Sequence, residues 1–152
     1  MSTPPLTVSA SRTRFPGLAL REILILIAWL QKHESEYDRV EGNVRVGKGD
    51  DPGPSVPEYL RRMAILNSQK RIDAVAWKGQ QALLIEVKQR AKMADVGQLL
   101  GYQVLFEQDH PDLAAPSLLI VAASAVPEIE ALLTAQSVEL EVVTPPSAEQ
   151  AS

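Results

Sequence analysis

Two apolar runs, Arg71 to Trp77 (RIDAVAW) and Ala82 to Val87 (ALLIEV), stand four residues apart, and each carries one acid among residues that otherwise belong in a core. Their length, their composition and the connection Lys78-Gly79-Gln80-Gln81 predict two adjacent antiparallel strands joined as a hairpin. Downstream the pattern predicts a helix from about Ala94 to Gln108, then a buried strand from Ser117 to Ala122 (SLLIVA). A short helix over Val126 to Ala135, opened by Pro127 with Glu128 and Glu130 in its first turn, precedes a last strand from Val138 to Val143. Strand, helix and strand at that spacing imply a parallel pair with a right-handed crossover.

Upstream, Leu18 to Leu30 (LALREILILIAWL) reads as a buried helix introduced by Pro16 and Gly17, and it is too short to cross a bilayer. Tyr37 to Gly47 alternates around Gly42 and Asn43, as a strand or a short hairpin would. Gly47 to Pro57 is a loop by composition, long enough to gate something, and Glu58 to Leu66 fits either a short helix or an extended approach to the sheet. The whole order buries its apolar faces best as an α/β fold in three layers, a central mixed sheet flanked by helices. Residues 1–15 and 144–152, rich in Pro and small polar residues, are expected to be a flexible arm and a flexible tail around one domain over 16–143. The N-terminus lacks the apolar core and cleavage site of a secretory signal, so the expected location is cytoplasmic, without a membrane partner.

With 152 residues, 45% hydrophobic and 22% charged, the chain has the balance of one soluble domain that needs no disulfide or structural metal to build a core. It has no cysteine and only two histidines, His33 and His110. Thiol nucleophiles, cysteine-based metal sites and three-histidine zinc sites are thereby excluded, and a hydrolytic metal has to be held mainly by carboxylates. The net charge of -4 argues against a nucleic-acid partner, but its distribution argues the other way. From Arg61 to Lys92 there are 8 basic residues against Asp73 and Glu86, a net +6, which leaves -10 for the rest. A solvated charged face accounts for such a run equally well on charge alone.

Side chains alternate faces along a strand, so Glu86 and Lys88 point the same way and Val87 the other, and the short hairpin sets Asp73 across from them. An acid inside each of two apolar strands costs several kcal/mol unless it is compensated. A structural ion pair with Lys88 is one compensation. The other is chemistry: Asp73 and Glu86 hold Mg2+ or Mn2+ by oxygen, with the Val87 main-chain carbonyl as a further ligand, and Lys88 positions and helps deprotonate a water. Phosphodiester hydrolysis is the reaction such a set performs.

These residues resemble a known superfamily. Arg71-Ile72-Asp73, a hairpin, and Ile85-Glu86-Val87-Lys88 look like the PD-(D/E)XK nucleases, whose restriction-endonuclease-like fold serves Holliday-junction resolvases, RecB-like exonucleases and many restriction enzymes. In the following helix Gln98 and Tyr102 are similar to the Gln-x-x-x-Tyr element of RecB-like and NucS-type members. The resemblance implies a metal-dependent nuclease, acting on DNA, in which Gln98 and Tyr102 support the site. Members often add an acid from the first core helix. Glu22 matches that position, and a solvated residue at a helix start is its other reading. Ile72 stands where the family name has proline, a departure many relatives share. The resemblance also brings Lys70, Arg71, Lys78, Arg90 and Lys92 forward as phosphate contacts flanking the site in sequence.

Trp29 and Trp77 read as core residues, and Asp109-His110-Pro111-Asp112 as a helix-ending turn rather than a ligand set. Gly47, Gly49 and Gly53 lack the spacing of a nucleotide loop. A second function class competes with the enzyme: a silent nuclease-fold module docking within a phage, mobile-element or other multi-subunit assembly. The net charge and the two tails favour it. A nuclease of this size often works as a homodimer or within a complex.

Overall fold

The computed structural model describes residues 4–152, so Met1, Ser2 and Thr3 of the expected arm lie outside the described residues. Five strands form one sheet in the order β1 (Arg39–Val46), β2 (Lys70–Lys78), β3 (Gln81–Ala91), β4 (Ser117–Ala125) and β5 (Glu139–Val142). The first three pair antiparallel and the last two join them in parallel. This is the expected mixed sheet, with the parallel β4/β5 pair connected through α5 (Ile129–Ala135).

Helices cover both faces. On one face α4 (Met93–Asp109) and α5 pack Val96, Leu99, Phe106, Ile129 and Leu133 against Val75, Leu84, Ile120 and Ala122. On the other, α2 (Leu20–His33) packs Ile25, Leu26, Trp29 and Leu30 against Ala74, Ala76, Ile85, Val87 and Val121. Trp29 is fully buried and Trp77 nearly so, as core residues.

The apolar run of α2 is continuous around its circumference, so the sheet cannot bury all of it. Its outer side, Ile23 and Ile27, is covered by Leu6, Val8 and Ala151. The two ends of the chain supply that cover. The N-terminal segment forms α1 (Val8–Arg14), with Thr7 Oγ1 accepting from the Ala10 N–H at 3.1 Å. The C-terminal end returns to it, and the Val8 N–H donates to the Ala151 carbonyl at 2.7 Å.

Gly42 and Asn43 do not turn the chain. β1 runs straight through them, and Gly42 lies under the end of α1, where a Cβ would stand 2.3 Å from the Arg14 carbonyl oxygen. Asn43 takes φ 53, and the strand changes face there: Val40 packs with α2, Val44 and Val46 with α4. Glu58–Ser68 is a helix, α3, without a buried residue. The preceding loop is tied down, with the Gly47 N–H on Asp109 Oδ2 at 2.9 Å and the Asp50 N–H on Ser68 Oγ at 2.6 Å. No helix among the described residues is long and apolar enough to cross a membrane.

Candidate active site

The β2/β3 ladder runs from the hairpin turn to the pair Ala74 and Ile85. One step further would set Asp73 opposite Glu86, and there the backbone ladder stops. In its place Asp73 Oδ2 accepts from the Val87 N–H at 2.8 Å. The strands thus part where two acids meet, and the Asp73 side chain satisfies a donor that a regular ladder would have used.

Glu86 follows Leu84 on the α4 face, while Ile85 and Val87 point to α2. It is 3% exposed, and its Oε2 has no hydrogen-bond partner. Burial, the Asp73 carboxyl beside it and the Asp73 charge raise the Glu86 pKa far above the carboxylate range, with Asp95 adding to the effect and Lys88 opposing it. A buried, partnerless oxygen next to a second carboxylate fits a hard divalent cation, which neutralises both charges and takes oxygen ligands. Among the described residues no three acids gather into a ready-made cage, so Asp73 and Glu86 offer a few ligands and leave the rest to water and substrate.

Lys88 Nζ lies 4.0 Å from Glu86 Oε1 and 3.8 Å from Asp95 Oδ1. Burial works to lower its pKa, but Glu86, Asp95, Asp73 and Glu22 raise it, and the net direction is up. The lysine is held as an ammonium, a donor and positive charge. The surrounding carboxylates outweigh the partial burial that acts to lower its pKa.

On α4, Gln98 and Tyr102 stand one turn apart, and Gln98 Nε2 donates to Tyr102 Oη at 2.5 Å. Burial raises the Tyr102 pKa, as do Glu86 and Asp73, so the phenol stays protonated beside the acids. Gln98, Tyr102 and Lys70 line a groove of about 570 Å³ together with Gly97, Gly101, Val104 and Leu105.

Glu22 is less committed to this cluster. Its Oε1 accepts from the Ala19 N–H at 3.0 Å, capping its own helix, and it reaches the site only as a charge acting on Lys88. Of the basic residues, Lys70 opens β2, Arg71 pairs across β1 with Arg45, and Lys92 precedes α4. Arg90 shares a second groove with Arg21 and Gln89. Lys78 stands at the hairpin turn opposite Gln81. It stands five positions along the strand from Asp73, about 17 Å away at the rise of a strand. Asp95, not among the expected site residues, is buried against Lys88, and Arg45 joins the basic set through register alone. Asp95 gave a signal as an acid in the first turn of the helix that follows Lys88; Arg45 gave none.

No family model matches the chain, and no curated protein matches it. Among solved structures it is similar to a repair endonuclease from Pyrococcus abyssi, with 14% identity and a TM-score of 0.51 over 85% of this chain and 48% of that one. It is also similar to EndoMS in a complex with double-stranded DNA, with 14% identity and a TM-score of 0.48 over 80% of this chain and 44% of the other. The chain spans about half the length of these structures. The first of them shows the fold alone: this chain shares the three-layer α/β architecture of that structure.

Proposed function

We propose that this chain is a divalent-metal-dependent nuclease that hydrolyses phosphodiester bonds in DNA. The observation that carries the reading is the parting of β2 and β3 at Asp73 and Glu86, where a buried Glu86 oxygen has no partner. The likeness in fold to a repair endonuclease supports it.

Asp73, Glu86 and the Val87 main-chain carbonyl are the groups that would hold Mg2+ or Mn2+. When bound, the cation supplies Lewis acidity toward the scissile phosphate and lowers the pKa of an attacking water. Lys88, as an ammonium, donates toward that water or a phosphate oxygen and fixes its direction. Tyr102 and Gln98, joined by their hydrogen bond, set a polar wall beside the reacting centre. Lys70, Arg71, Arg90 and Lys92 supply phosphate contacts that hold the strand in place without reading its sequence.

The test is Mg2+-dependent cleavage of single-stranded, double-stranded and branched DNA by the wild type, Asp73→Ala and Lys88→Ala. Cleavage by the wild type, lost in both folded variants, is expected. Cutting at the wild-type rate in both variants overturns the site. A wild type that neither binds Mg2+ nor cuts any of the three overturns the enzyme in favour of a docking module.

A further inference from the structure

We infer that Asp95 is a positioning residue for Lys88, a buried acid at the start of α4 that fixes where the lysine ammonium stands beside Asp73 and Glu86. The inference rests on the nuclease reading for its meaning, though not for its geometry.

An acid in the first turn of a helix ordinarily caps it from the solvent side. Asp95 does cap α4, since its Oδ2 accepts from the Lys92 N–H at 2.8 Å. It does so from a buried position, 8% exposed, and its other oxygen is turned to Lys88 Nζ at 3.8 Å. The two oxygens have separate tasks. One locks the carboxylate to the backbone, and the other offers a fixed negative charge to a flexible side chain.

A lysine stem loses much rotamer freedom when it is held, so a single contact seldom fixes it. The other acid in reach is Glu86, at 4.0 Å, and that carboxyl is shared with Asp73. Asp95 is the neighbour of Lys88 with no place in the Asp73/Glu86 pair. Its helix also connects it to the rest of the site: residues 95, 98 and 102 fall on one face of α4. That face therefore carries the anchor of the lysine together with Gln98 and Tyr102.

Asp95→Asn separates the tasks, because an amide oxygen still accepts from the Lys92 N–H while the charge toward Lys88 is gone. The expected result is an unchanged thermal midpoint, unchanged KM and unchanged affinity for DNA in Ca2+, with kcat lower by about 10- to 100-fold. Asp95→Glu, which restores the charge, recovers part of kcat. A second measurement does not depend on cleavage: side-chain NMR relaxation of lysines in the metal-free protein, where the Lys88 Cε group is more ordered than that of exposed Lys78 and loses that order in Asp95→Asn. Lys88 order that is unchanged in Asp95→Asn overturns the inference, and so does a fall in thermal midpoint with kcat intact. A wild type that cuts nothing removes the nuclease reading instead, and the relaxation result then decides the anchor by itself.

Discussion

Asp73 Oδ2 takes the Val87 N–H at 2.8 Å, so the acid from one strand closes the backbone of the next at the point where their ladder ends. The contact holds Asp73 in the gap and leaves Glu86 buried behind it with a partnerless oxygen. In the metal-free protein the lowest-cost state keeps a proton on Glu86, because ionisation would set two carboxylates side by side away from water.

The sign of the pH dependence follows. The Glu86 pKa is raised in the fold above its ordinary value of about 4.3, so its contribution to stability is full below that value and is lost as pH rises toward the folded pKa. Thermal melts of the metal-free protein should fall from pH 5 to pH 8, and added Mg2+ should recover more of the midpoint at pH 8 than at pH 5. Glu86→Gln should flatten both trends. A metal-free midpoint that rises over this range would contradict the proton on Glu86.

Lys70 and Lys78 bracket the same strand and differ in what they face. Lys70 lines the groove beside Tyr102, whereas Lys78 stands on the distant turn. Lys70→Ala should weaken DNA binding several-fold and reduce the salt slope of log K by about 1, while Lys78→Ala should leave both unchanged. Fluorescence anisotropy in Ca2+ over a salt series reads both effects, and equal losses in the two variants would mean that the bound strand does not follow the groove.

What sequence could show here was set by the range of the interactions involved. Asp73, Glu86 and Lys88 were legible because a strand's period of two and a short hairpin fix their neighbours locally. The Gln98 and Tyr102 pair was legible through its resemblance to a Gln-x-x-x-Tyr element, and helical spacing sets the two on one face. Arg45 meets Arg71 only through the β1 register, and Ala151 meets Val8 only because α2 needs cover on its outer side. Gly42-Asn43 left strand and hairpin both open for a related reason: the pair carries turn chemistry, yet the glycine answers a close approach of α1 from far along the chain.

A second pH-sensitive contact lies away from the site. His33 bridges two acids, with Nδ1 2.5 Å from Glu36 and Nε2 2.9 Å from Glu141, tying the end of α2 to the edge strand β5. Burial alone would lower the His33 pKa, but the hydrogen bonds and charges of Glu36 and Glu141 raise it. Its contribution is therefore full below about pH 6.5 and is lost as pH rises through the raised value. Amide exchange in β5, corrected for intrinsic rates, should quicken over that window in the wild type and be insensitive to it in His33→Gln.

Two classes of glycine should respond oppositely to alanine. At Gly42 a Cβ would lie 2.3 Å from the Arg14 carbonyl oxygen and 2.4 Å from Phe15 Cδ1, and backbone cannot yield as a flexible side chain can. Gly42→Ala should push α1 off the sheet edge and cost about 1–3 kcal/mol, the scale of overpacking a filled core. At Gly101, inside α4, a Cβ would meet nothing within 4 Å. Gly101→Ala should stabilise the helix by up to about 1 kcal/mol, since alanine loses less backbone entropy there. Urea denaturation of the two variants should thus bracket the wild type. If Gly42→Ala proves neutral, the α1 contact yields more readily than its distances imply; if Gly101→Ala destabilises, the open space at Gly101 is required by the fold itself.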